Sequence, residues 1–128
     1  MLYSETLPKS PASAARARRA LDRLAGEFPR DVLADARLLV SELIANAVEH
    51  VQGGESIGLR IETRDGVLRV EVRDPGQGFT FQPRRPGSPL DSGWGLHFLD
   101  LLADRWDADV QDESRVWFEL GTAAAEVA

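Results

Sequence analysis

Glu42-Leu43-Ile44-Ala45-Asn46-Ala47-Val48-Glu49-His50 places a carboxylate, an amide and an imidazole four residues apart within an apolar helical pattern. Four residues make about one helical turn, so Glu42, Asn46 and His50 stack along one line of the helix. At roughly 100° per residue, Leu39, Val40, Leu43, Ile44, Ala47, Val48 and Val51 share a broad apolar arc. Glu42 and Asn46 fall on the margin of that arc and His50 just inside its edge. Charges on a solvated face would stand opposite the core; these three border it, where a ligand pocket would open. An amphipathic helix with polar residues near its rim is the plainer reading.

Outward from this helix, the chain divides into short, well-punctuated segments. Leu2 to Leu7 reads as an edge strand stopped by Pro8. Ser10-Pro11 reads as an N-cap with proline at the first helical position, opening a helix through Ala14, Ala17, Leu21 and Leu24 to Gly26. Asp31 reads as the cap of the helix that holds Glu42 to His50, which ends before Gly53-Gly54. Ile57 to Thr63 alternates, turns at Asp65-Gly66 and continues from Val67 to Arg73, the signature of a hairpin. After a region rich in proline and glycine, Gly93 opens a third helix through Leu96, Leu99, Leu101 and Leu102. Strands around Trp106–Val110 and Val116–Leu120 close the pattern, and 121–128 reads as a frayed tail. The order β-α-α-β-β-loop-α-β-β predicts a two-layer α/β sandwich: a mixed, mostly antiparallel sheet with helices on one face.

Two glycine motifs flank the long loop. Asp74-Pro75-Gly76-Gln77-Gly78 follows a strand directly; Pro-Gly suits a type II turn and aspartate often starts one. The same glycines would also let backbone pass close to a flat base or a phosphate, where a Cβ would clash. Asp74 at the strand end could then accept a hydrogen bond from an exocyclic amine such as that of adenine. Gly93-Trp94-Gly95-Leu96 opens a helix, either to permit an unusual entry angle or to present free N–H groups to an anion. It is not a dinucleotide fingerprint, since Phe98 stands at its third glycine and no strand precedes it. Unstructured loops as long as 79–92 are often lids, and Arg84 and Arg85 could reach phosphates from it, although an exposed basic pair is more often merely solvated.

Composition narrows the classes. At 128 residues the chain is expected to form one domain with a core of its own, and 43% hydrophobic with 28% charged residues is ordinary for a globular protein. There is no cysteine, hence no disulfide framework and no thiolate nucleophile. The net charge of −6 argues against nucleic-acid binding through a general field. No apolar run approaches membrane-spanning length and the first residues lack the pattern of a signal peptide, so a cytoplasmic location is expected. Lys9 is the only lysine and lies near no glycine-rich turn in the sequence, so a Walker-type loop is excluded. A nucleotide's phosphates would have to be neutralised by other means.

Glu42–His50, Asp74–Gly78 and Gly93–Gly95, in this order and separated by a hairpin and a lid, resemble the N box and the two glycine boxes of the GHKL ATPases. That superfamily includes gyrase, heat-shock chaperones, histidine-kinase catalytic domains and the MutL repair proteins. Within it, Ser41 to His50, Ser92 to Trp106 and Arg115 to Leu120 are most similar to the small stand-alone anti-sigma-factor serine/threonine kinases of bacteria. The likeness runs from about Leu2 to Leu120 and implies a Bergerat-type ATP-binding fold spanning 1–128 as one domain.

The resemblance implies roles residue by residue. Asn46 would ligate Mg²⁺, which bridges the phosphates in place of the missing lysine. Glu42 would orient or deprotonate the nucleophile, either water or a serine hydroxyl. Asp74 would hold the adenine amine. Gly76, Gly78, Gly93, Trp94, Gly95 and Leu96 would line base, sugar and phosphates, with Arg84 and Arg85 on the lid. His50 would be a ligand neighbour or a packed helix-end residue. The implied activity is Mg-ATP-dependent phosphorylation of a STAS-type antagonist by a protein that holds a sigma factor inactive. Members are often dimers, and neither nucleic acid nor membrane is expected as a direct partner. Asp91 and Ser92 stand where some relatives carry a basic residue, which favours a second expectation, an ATP-binding switch that acts on a partner without phosphotransfer.

Overall fold

The computed structural model describes residues 1–50, 56–74, 94–109 and 114–121. Its elements are β1 (Leu2–Pro8), α1 (Ala12–Asp22), α2 (Arg30–His50), β2 (Ser56–Arg64), β3 (Val67–Asp74), α3 (Trp94–Leu102), β4 (Arg105–Asp109) and β5 (Ser114–Leu120). The strands form one sheet in the order β1-β2-β3-β5-β4, and each of these pairings is antiparallel. The expected mixed sheet is therefore antiparallel throughout its described part.

Alternation along the strands builds the two layers. Ile57, Leu59 and Ile61 on β2, Leu68, Val70 and Val72 on β3, and Val116, Phe118 and Leu120 on β5 all point to one face and are buried. Against them pack Ala36, Leu39, Val40, Leu43, Ile44 and Ala47 from α2, Ala17, Ala20 and Leu21 from α1, and Leu99 from α3. Each fully buried leucine, isoleucine or phenylalanine contributes about 1.5–3 kcal/mol relative to exposure. The opposite face is polar and laced with ion pairs. Glu119 lies 3.3 Å from Arg69 and 3.4 Å from Arg105, Arg115 lies 3.6 Å from Glu71, and the Arg69 guanidinium sits 4.0 Å from the centre of the Trp117 ring. Such partly exposed pairs are worth at most about 1 kcal/mol each, so the helix-facing core carries the stability.

The β2–β3 hairpin turns where the sequence predicts. Asp65 (φ 52°) and Gly66 (φ 80°) are both left-handed, the requirement of a type I′ turn. Gly121 (φ 93°) closes against it: a Cβ there would stand 2.5 Å from the Gly66 carbonyl oxygen.

The helix boundaries shift slightly from expectation. Pro11 occupies the N-cap of α1 rather than its first turn, while Ser10 Oγ accepts the Ala12 N–H at 3.4 Å. That helix ends at Asp22, short of Gly26, and turns carry Leu24 into the core. Asp31 lies inside the first turn of α2, which starts at Arg30. With 21 residues, α2 is about 31 Å long. Arg18 of α1 donates to Ser41 Oγ at 2.8 Å, and Arg37 lies 3.4 Å from Asp22, fixing the two helices side by side. Trp106 Nε1 donates to Asp100 at 3.0 Å and ties β4 to α3.

Candidate functional site

Antiparallel register places the ends of β1 and β3 and the start of β2 at one end of the sheet. Pro8 ends β1 opposite Ser56, which begins β2, and Gly58 pairs with Arg73, one residue before Asp74 ends β3. The end of α2 lies within about 20 Å of the start of β2, since six residue steps separate His50 from Ser56. Both α2 and α3 face this side, since α2 packs on β3, β5 and α3.

Asp74 is fully buried on the helix-facing side of β3, in line with Val70 and Val72. Two strand spacings, about 10 Å, separate β3 from β1; Lys9, the residue after β1, crosses that gap. Its Nζ lies 3.1 Å from Asp74 Oδ2, with only 13% of the Lys9 side chain exposed. A local clip holds the Lys9 backbone. Ser10 N–H donates to the Pro8 carbonyl at 2.9 Å, the fully buried Ser13 hydroxyl donates to the same oxygen, and Ser13 N–H donates to Ser10 O at 3.0 Å. Sequence reasoning missed Lys9. The one available signal was its position immediately after a strand-ending proline, which does not report a partner far along the chain.

Glu42 and Asn46 are half-buried on α2, beside the buried Leu43 and Ala47, as the margin of an apolar arc requires. Asn46 Nδ2 is shielded from solvent and meets no hydrogen-bond partner among the described residues. A buried amide left this way is costly unless a ligand uses it. The two ends of the amide are isosteric, so a half-turn would present Oδ1 from the same place. That orphan amide fits an oxygen ligand for a hard cation next to a phosphate chain, whose own oxygens complete the shell. Among the described residues no group of three or more His, Asp or Glu is placed to hold a metal ion.

The remaining candidates fall unevenly. Trp94, Gly95 and Leu96 form the first turn of α3, where free N–H groups and the helix dipole favour an anion. His50 is the last residue of α2, its side chain outside the described residues. Gly76, Gly78, Arg84, Arg85, Gly93 and the lid at 79–92 lie outside them too, as does 122–128 of the tail. No helix of the described residues is long and apolar enough to cross a membrane.

An antiparallel sheet covered on one face by helices, with a buried carboxylate ending β3 and Glu42 and Asn46 on the margin of α2, defines a two-layer α/β sandwich. The profile of the histidine kinase-like ATPase domain matches residues 7–119, and the chain belongs to that family. ATP is thus the ligand class of the fold. Solved structures share the fold, among them the following three. The RsbU and RsbW domains of Rv1364c from Mycobacterium tuberculosis superpose with a TM-score of 0.72 at 21% identity, covering 93% of this chain and 32% of that one. The histidine kinase domain of the Erythrobacter litoralis EL346 blue-light activated histidine kinase gives 0.59 at 21% identity, covering 94% and 64%. A structure of the EL346 kinase itself gives 0.61 at 19%, covering 94% and 44%. The chain therefore spans about a third of the first and under two thirds of the others. No curated protein matches it in sequence.

Proposed function

We propose that the chain is a single-domain Mg-ATP-dependent serine/threonine protein kinase that acts as an anti-sigma factor and phosphorylates a STAS-type antagonist. The observation that carries the nucleotide part is Asp74, a carboxylate fully buried at the end of β3, in a chain whose residues 7–119 match an ATPase domain. Support for the kinase class comes from the wording of Ser41–His50 and Ser92–Trp106, and from the shared fold of a protein containing an RsbW domain, a domain of the anti-sigma-factor kinase type.

In this reading Asp74 accepts the adenine amine and so orients the base. Asn46 Oδ1 holds Mg²⁺, which when bound neutralises phosphate charge. The first turn of α3, with Gly95 and Leu96, receives phosphate oxygens on its N–H groups, and Arg84, Arg85, Gly76, Gly78 and Gly93 complete the lining. Glu42, one turn before Asn46, takes the proton from the acceptor serine hydroxyl as its oxygen bonds to the γ-phosphorus. The bond to the β-phosphate oxygen breaks and ADP leaves. A sigma factor and a second copy of the chain are the further partners proposed, in a cytoplasmic setting.

Incubation with Mg-ATP and a STAS-type protein, read by mass spectrometry, tests the transfer. Phosphoserine or phosphothreonine on the acceptor, absent with Glu42→Ala, is expected. ATP binding without any phosphorylated acceptor would instead support the switch that acts without phosphotransfer.

A further inference from the structure

Lys9 reaches the base end of the site from an element that the glycine motifs do not include. Its side chain is mostly buried, its ammonium stands 3.1 Å from one oxygen of a fully buried carboxylate, and a hydrogen-bonded turn on Pro8 and Ser13 fixes its backbone. Desolvating both charges is expensive, and such a pair seldom adds net stability over apolar residues of the same size. Its specific effect is on what Asp74 can recognise. A carboxylate has about four lone-pair sites, so an ammonium on Oδ2 leaves acceptor capacity for a ligand while it offsets the desolvation of the charge.

We propose that Lys9 is a positioning and selectivity residue of the base site: by holding Oδ2 of Asp74 it fixes the direction in which the other oxygen accepts, which admits a purine bearing a 6-amine and rejects one bearing a 6-carbonyl. The proposal rests on the assignment of Asp74 to the nucleotide base made above. Without Lys9 the buried carboxylate loses the contact that fixes one oxygen and so the direction in which the other accepts, and the hydrogen bond from a 6-amine is no longer favoured over contact with a 6-carbonyl. Lys9 acts through Asp74 and touches neither phosphate nor the transferred group.

The test is calorimetric titration of the full chain with ATP and with inosine triphosphate, whose base carries a 6-carbonyl and an N1–H in place of the 6-amine and bare N1 of adenine. Wild type, Lys9→Met, Lys9→Gln and Lys9→Arg are compared. Wild type should prefer ATP by about tenfold or more, the scale of one hydrogen bond to a charged acceptor. In Lys9→Met and Lys9→Gln that preference should fall toward unity, and Lys9→Arg, which keeps the charge, should restore part of it. The ratio of two nucleotides on one preparation is unaffected by the fraction folded, so a purely structural role would leave it unchanged. An unchanged ratio in both uncharged variants, or tighter ATP binding by them, would overturn the proposal. Equal binding of both nucleotides by wild type would overturn the base assignment itself, and this inference with it.

Discussion

The two ends of β3 solve opposite problems. At Val67 the strand is entered through Asp65 and Gly66, both at positive φ, and Gly121 presses so close to the Gly66 carbonyl that no side chain fits. Nothing there is chemically reactive; the residues are dictated by backbone geometry. At Asp74 the backbone is ordinary strand, and the unusual feature is a buried charge, held by the lysine that follows β1, two strands away. Tight backbone marks the end that fixes register. Buried charge marks the end proposed to bind the nucleotide. Glycine by itself therefore says little about function in this fold, whereas a carboxylate on the apolar face of a strand says much.

Substitutions at the two ends should separate cleanly. The largest effect is expected from Glu42→Ala, on the margin of the apolar face of α2. Phosphotransfer should fall by about 10²–10⁴, the usual contribution of a general base, while ATP affinity and thermal midpoint stay near wild type; single-turnover transfer and calorimetry read the two. At the other end, Gly121→Ala should do the reverse. A left-handed alanine facing a carbonyl at 2.5 Å costs about 1–3 kcal/mol, read as a lower denaturant midpoint, with ATP affinity of the folded protein preserved. Loss of ATP affinity there without loss of stability would erase the distinction between the ends.

The smallest expected effect concerns Asp35, a half-buried carboxyl on α2 away from both ends. Burial first, and then the Asp31 carboxylate one turn earlier, push it above the usual carboxylate value. The folded state thus holds its proton more tightly than the unfolded chain. The favourable contribution is present in acid and is lost as pH rises through the raised value. Asp35→Asn should stabilise the protein at pH 7 by a few tenths of a kcal/mol, the scale of a like-charge pair at this spacing, with the gain shrinking toward pH 3. A gain that is independent of pH would point to packing rather than charge.

How much of this was legible in the sequence follows the range of the interaction responsible. The hairpin at Asp65-Gly66 and the inward alternation of β2, β3 and β5 are local patterns, and both stand where the residues place them. The margin position of Glu42 and Asn46 is likewise a property of one helix and was readable. The stop of α1 at Asp22 was not, because Leu21 and Leu24 continue the apolar periodicity that the chain leaves to turn into the core. Nor was the role of Lys9. The absence of a lysine beside any glycine-rich turn excluded a Walker loop, yet antiparallel pairing of β1 with β2 and β2 with β3 carries that lysine to the first residue of the Asp74–Gly78 motif. A contact set by the register of three strands has no local signature.

The central claim is a nucleotide site built on Asp74 and α2, and calorimetric titration with ATP, with and without Mg²⁺, on wild type and Asp74→Asn tests it most directly. Saturable, magnesium-dependent binding is expected, weakened by the substitution roughly tenfold to a hundredfold through the loss of one hydrogen bond to a charged acceptor. A folded wild type that binds no ATP, or an Asp74→Asn protein that binds it as tightly as wild type, would contradict it.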